Sequence, residues 1–164
     1  MGLRIKTAAG DWMEDIGPAI TLAVAMWFSP LLAVLEIPGV STKAMKEYKL
    51  FLSLKLALKD SRNSLLAPSK MADRVWHKHI LKDTFAYEEL CKALCGSMIH
   101  HKEVTQPDEL RRMYRNYKKC RIVAKSEVKK QLELRHLELP PEPRSPNDTY
   151  SDSDDSQGGV AICA

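Results

Sequence analysis

The 164-residue chain has only four cysteines, Cys91, Cys95, Cys120 and Cys163, too few and too unevenly spaced for a disulfide scaffold. It has no glycine-rich phosphate loop and no internal repeat. Nor does a Ser–His–Asp arrangement or a carboxylate pair accompany its histidines, so the signal for enzyme chemistry is weak. What is present is ordinary globular material. Hydrophobic residues make up 45% and charged residues 28%, which excludes collagen-like, coiled-coil-only and fully disordered chains. The length fits one domain.

Charge is unevenly placed. Lys and Arg number 25 against 21 Asp and Glu, a net +4. Between positions 111 and 130 nine cations (among them Arg111, Arg112, Arg115, Lys118, Lys119 and Arg121) oppose only Glu127. From Pro140 onward five acids oppose only Arg144. Such blocks bear on partners and solubility rather than on fold.

An uncharged apolar run occupies residues 16–35, bounded by Asp15 and Glu36. A bilayer core takes roughly 20 apolar residues as helix, so the run is just long enough to span. The acids Asp11, Glu14 and Asp15 in front of it argue against a cleaved signal peptide. Lys43, Lys46, Lys49 and Lys55 follow the run, and the positive-inside rule would keep them in the cytoplasm. The expectation is a membrane anchor facing the cytoplasm, with thiols left reduced. The alternative is a soluble cytoplasmic chain in which Ser29-Pro30 breaks the run into a buried helical hairpin.

Beyond an N-terminal segment 1–15 and the apolar stretch 16–36, the pattern predicts an all-α module over 41–102. Ser41 or Thr42 caps a first helix with Met45, Tyr48, Leu52 and Leu56 on one face, and Phe51, Leu54 and Leu58 widen that face. Residues 60–64 read as a loop. A second helix covers 69–81. Asp83 or Thr84 caps a third, with Tyr87, Leu90, Cys91 and Leu94 on one side and Gly96 as the stop. One long basic helix follows over 105–139, opened by a Thr105 cap, Pro107, Asp108 and Glu109, and ended by Pro140-Pro141. Residues 140–164 read as a disordered acidic tail.

Four of the five histidines, His77, His79, His100 and His101, fall between positions 77 and 101, with Cys91 and Cys95 among them. That density invites a zinc reading, with His77, His100, His101 and Cys91 as ligands. At about 100° per residue, His77 and His79 diverge by about 200° on a helix and cannot hold one ion together. His79 falls on the apolar stripe with Val75 and Trp76. It reads as a buried neutral imidazole, bonded to a core group such as the 100–101 turn. His77 falls on the polar side, one turn after Asp73. Trp76, His79 and Tyr87 are the candidate core.

The stretches EYKLFLSLK (47–55) and APSKMADRVWHKHILKDTFAYEELCKALCGSMIHH (67–101) resemble the glycine-rich domain-containing protein-like family. The positions that carry the likeness are Asp73, Val75, Trp76, His77, His79, Leu81, Tyr87, Cys91, Gly96, His100 and His101, and it covers about 44–120. The resemblance implies a helical unit joined to varied partners and supplies no catalytic residues. This chain has seven glycines and no glycine-rich segment.

The leading functional expectation is therefore a non-catalytic interaction module with an unknown protein partner, tethered to a membrane through residues 16–35. One rival is a metal-binding protein or metal-dependent enzyme using the histidine cluster. Another is a nucleic-acid-binding or assembly subunit, in which residues 111–130 engage nucleic acid or an acidic partner. Tyr114 and Tyr117, interleaved with those cations, read first as core. In the tail, Thr149 and Ser151 each precede an aspartate by three residues, the spacing acidophilic kinases read, and Asn147 opens a glycosylation sequon.

Overall fold

Proline 30 decides the fate of the apolar run. In the computed structural model, which describes residues 2–135, Ser29 takes an extended conformation (φ −59°, ψ 138°) and caps a new helix whose first residue is Pro30. The residue before a proline is pushed out of the helical region, and proline itself lacks the N–H that would continue the ladder. The run becomes α1 (Gly17–Trp27) and the single turn α2 (Pro30–Ala33). The expected membrane span is thereby corrected. No helix among the described residues is long and apolar enough to cross a membrane. Ile20, Ala23, Val24, Met26 and Leu32 are buried in the protein core instead.

The other elements are a two-stranded antiparallel hairpin, β1 (Ile5–Lys6) with β2 (Trp12–Met13), and four further helices. These are α3 (Thr42–Ala57), α4 (Lys70–Lys82), α5 (Thr84–Cys95) and α6 (Pro107–Leu134). The fold is all-α apart from the hairpin, which the sequence pattern did not suggest. Ile5 pairs with Met13 and is fully buried, so the N-terminal segment joins the core.

α3 is the central helix. Ser41 caps it, accepting from the Ala44 N–H. From Leu50 to Ala57 every residue is buried, because α1, α4, α5 and α6 pack around it. Lys55 lies inside that stretch and is fully buried, so it is not one of the surface charges that choose a membrane side. Its ammonium donates to Asp60 Oδ2 (2.7 Å), Asn63 Oδ1 and the Leu66 carbonyl (2.8 Å), which uses all three donors. Asp60 in turn accepts from the N–H groups of Ser64, Leu65 and Leu66. The polar loop at 60–64 is thus folded around a buried cation.

α6 begins one residue later than a Thr105 cap would place it. Gln106 is the N-cap, extended ahead of Pro107, and no side chain caps the helix. Its buried face includes Met113, Asn116 and Cys120 as well as Leu110, Tyr117 and Ala124. The expected stop at Pro140-Pro141, the acidic tail, Thr149, Ser151 and Asn147 lie outside the described residues.

Gly96 ends α5 in the left-handed region, at φ 84°. A Cβ there would meet no neighbour within 4 Å, so only backbone strain opposes a side chain. Gly96→Ala should lower stability by about 1 kcal/mol in urea unfolding. An unchanged midpoint would show that the turn does not need glycine.

Candidate functional site

α4 carries the histidines and its start sets their phase. Ser69 Oγ accepts from the Ala72 N–H, and Asp73 sits in the first turn, where a carboxylate suits the positive end of the helix. Asp83 both ends α4 and caps α5, its Oδ1 accepting from Ala86 N–H at 2.9 Å. After Gly96 the chain returns without regular structure toward α4. Two bonds fix that return: Tyr87 OH donates to the Ile99 carbonyl (2.7 Å), and His100 N–H donates to the Ser61 carbonyl (3.0 Å). His101 is thereby placed beside α4.

The two faces of α4 now separate the histidines. On the inner face His79 is 5% exposed, and its Nδ1 lies 2.6 Å from Tyr48 OH. Burial raises the Tyr48 pKa, so its hydroxyl stays protonated beside the imidazole. Burial, and then the nearby Lys82 charge, lower the His79 pKa to about 4. The partner of His79 is therefore Tyr48, not the 100–101 turn: α3 lies against this face of α4, whereas the turn lies against the other. Trp76 is fully buried and its Nε1 donates to Tyr87 OH at 3.0 Å.

On the outer face Asp73, His77 and His101 each present one ligand atom, all within 4.8 Å of one another. His101 Nε2 is 3.0 Å from Asp73 Oδ1, and His77 Nε2 is 3.6 Å from Asp73 Oδ2. The second distance is too long for a hydrogen bond. His77 Nε2 is shielded from solvent and has no hydrogen-bond partner. Burial lowers the His77 pKa, Asp73 opposes that and His101 adds to it. The His77 and His101 rings meet edge to face at 4.4 Å, and the Trp76 indole backs His101 at 4.1 Å between centroids.

The residues expected as metal ligands are only partly gathered. His77 and His101 meet. His100 is exposed and contributes its backbone to Ser61. Cys91 is fully buried near Tyr87 and Ile99, where burial pushes its thiol pKa up. Cys91, Cys95 and Cys120 are free thiols. Asp73, which completes the group, was visible in the sequence as the acid one turn before His77.

The cations of α6 also divide. Arg121 grips the buried Glu47 of α3 (3.1 and 2.6 Å), joined by Lys125 at 3.0 Å. Arg112 donates to the carbonyls of Lys6 and Ser64. These hold the fold together. Arg111 is exposed and pairs with Asp108, Lys118 lies over the Tyr114 ring, and Arg115 and Lys119 face solvent. Tyr117 is buried in the core and Tyr114 packs at its edge.

Fold and site together define an all-α module with a two-histidine, one-carboxylate cluster on one helix face. No family model, no curated protein and no solved structure matches the chain.

Proposed function

We propose that the chain is a non-catalytic helical module of the glycine-rich domain-containing protein-like kind that binds a divalent metal ion, zinc by ligand type, through Asp73, His77 and His101. The observation that carries this reading is the convergence of three ligand atoms at which His77 Nε2 is desolvated and lacks a hydrogen bond. A buried ring nitrogen without a hydrogen-bond partner is costly, and coordination to a cation removes that cost. Tetrahedral zinc with ~2.0–2.1 Å bonds sets its ligand atoms about 3.3 Å apart. The Asp73 contacts run to separate oxygens, 3.0 Å from His101 to Oδ1 and 3.6 Å from His77 to Oδ2, and one ligand atom from each residue lies within 4.8 Å of the others, so an ion would draw the set together. Binding would displace the proton that His101 Nε2 shares with Asp73. Two imidazoles and a carboxylate leave a fourth position for water or a partner's side chain.

In this reading the ion is a clip. It ties the irregular return after Gly96 to α4, and the surface so fixed is what a partner meets. The positions that carry the family likeness support it, since Asp73, Trp76, His77 and His101 form the cluster and its backing wall.

The full chain, stripped with chelator and titrated with zinc in a calorimeter, should take up one equivalent. The Trp76 emission should change, because its ring lies against a ligand. His77→Ala and Asp73→Asn should each weaken binding by more than the roughly 10–100-fold that loss of an outer-shell partner costs. His100→Ala should leave it unchanged. Uptake below a tenth of an equivalent removes the metal reading.

A further inference from the structure

We infer that the hairpin and the adjoining face of α6 form a binding site for single-stranded nucleic acid, centred on Trp12. This site is independent of the histidine cluster. Trp12 is 42% exposed, and it is the only large hydrophobic residue of the described hairpin held out in solvent. Three cations surround its indole: the Arg4 guanidinium at 4.4 Å, Lys119 Nζ at 4.8 Å and Lys6 Nζ at 5.5 Å from the ring centroid. They come from the β1 segment and from α6 and meet a ring on β2, so tertiary structure assembles them.

The platform is rigid. Lys6 is the strand partner of Trp12, and its backbone is clamped to α6 on both polar groups. Asn116 Oδ1 accepts the Lys6 N–H (3.0 Å), while Asn116 Nδ2 and Arg112 Nη1 both donate to the Lys6 carbonyl at 2.8 Å. Asn116 is itself buried and also donates to the Leu65 carbonyl. The strand that pairs with Trp12 is thus held against α6 before any ligand arrives, which lowers the cost of ordering the hairpin on binding.

Charge around the indole is mainly positive. Arg115 lies one turn before Lys119 on α6 and both are exposed; no acid among the described residues pairs with either. Of the nearby acids, Glu14 reaches Arg4 only across an exposed 3.8 Å contact. Asp11 closes the hairpin turn with Thr7 through its backbone and is exposed, and Asp15 lies against Gly2. Three cations around one exposed indole, with Arg115 one turn further along α6, supply phosphate contacts beside a stacking surface, the combination that single-strand binders use. The Arg4 guanidinium, lying over the ring, extends the stack, since bases also stack on guanidinium planes. A lipid surface would ask instead for a contiguous apolar tip, and the hairpin exposes one large apolar side chain.

The test uses the full chain, metal-free, with fluorescein-labelled oligo(U) and oligo(dT) in anisotropy titrations. Binding should weaken with salt, with a log–log slope of about −2.1 if all three cations at the indole meet phosphate, about −0.7 for each. Trp12→Ala should weaken binding roughly ten- to hundred-fold, as loss of one stacking partner does. Lys119→Glu, on an exposed helix face, should reduce the slope by about 0.7 with an unchanged circular dichroism spectrum. Phosphatidylserine vesicles form the second arm. The proposal is overturned if neither oligonucleotide binds at low salt, if Trp12→Ala binds as well as the parent, or if vesicles bind with the same Trp12 dependence while oligonucleotides do not.

Discussion

Lys55→Met should lower unfolding stability by about 3–5 kcal/mol. Methionine keeps the length and volume of the stem, so packing against Phe51 and Trp76 survives in large part. What is lost is the cation. Lys55 and Asp60 are both buried, at 2.7 Å, and removing one leaves the other's charge without its counterion in a site closed to water. The Asn63 side chain and the Leu66 carbonyl lose a donor at the same time. In thermal unfolding the loss corresponds to a midpoint lower by roughly 10 °C for a chain of this size. Lys46→Met, on the exposed side of the same helix, should stay within about 0.5 kcal/mol. A Lys55→Met variant as stable as Lys46→Met would mean that the ion pair contributes nothing to the fold.

The second large effect is a loss of stability in acid that passes through His79. Its pKa falls from 6.5 to about 4 on folding, because burial disfavours the imidazolium and Lys82 adds repulsion. Between those two values the unfolded chain binds more protons than the folded one, so stability rises with pH through the window and falls on acidification. The neutral imidazole contributes its full share above the unfolded value. Lowering the pH to about 4 should remove about 3 kcal/mol, at 1.36 kcal/mol per unit. His79→Gln should be less stable at pH 7 by about 1–3 kcal/mol, through the lost Tyr48 partner and imperfect packing. Its stability should then vary less with pH than the parent's across this window. Parallel pH profiles for parent and variant would show that His79 does not titrate the fold.

The two faces of α4 show how far pattern alone reaches. The 3.6-residue period is a local property of one helix, so it separated His77 from His79 before any neighbour was known. It also paired His77 with Asp73 one turn earlier. The partners across space were another matter. Tyr48 stands on a helix 31 residues away in sequence and His101 on an irregular strand of chain 28 residues from Asp73. Neither separation has a period. His100 and His101 were indistinguishable as neighbours in the sequence, and the bond from His100 N–H to Ser61 decides that only His101 turns toward α4.

Lys55 is a related case. In the sequence it is one lysine among several after an apolar run, and counted only as charge. Its leucine flanks, with Asp60 and Asn63 following within eight residues, were the available sign of a buried cation. Trp12 gave no sign, because a two-residue strand is too short to show alternation.

The sequence by itself determined what local stereochemistry and composition control. It marked most of the helices, their caps at Ser41 or Thr42 and at Asp83 or Thr84, the stop at Gly96 and the inward phase of Trp76 and His79, and it offered a break at Ser29-Pro30 as the alternative to a span. Tertiary structure alone decided whether the apolar run met lipid or protein. Hydrophobicity states only that such a surface leaves water, and the 11-residue length of α1 together with its fit against α3 and α6 gave it a protein environment. Tertiary structure also assembled both candidate sites, because Asp73–His77–His101 and Arg4–Lys6–Trp12–Lys119 join residues from separate elements. Contacts between residues far apart in the chain depend on how whole elements pack, and packing is set by the summed shape and burial of every side chain at once.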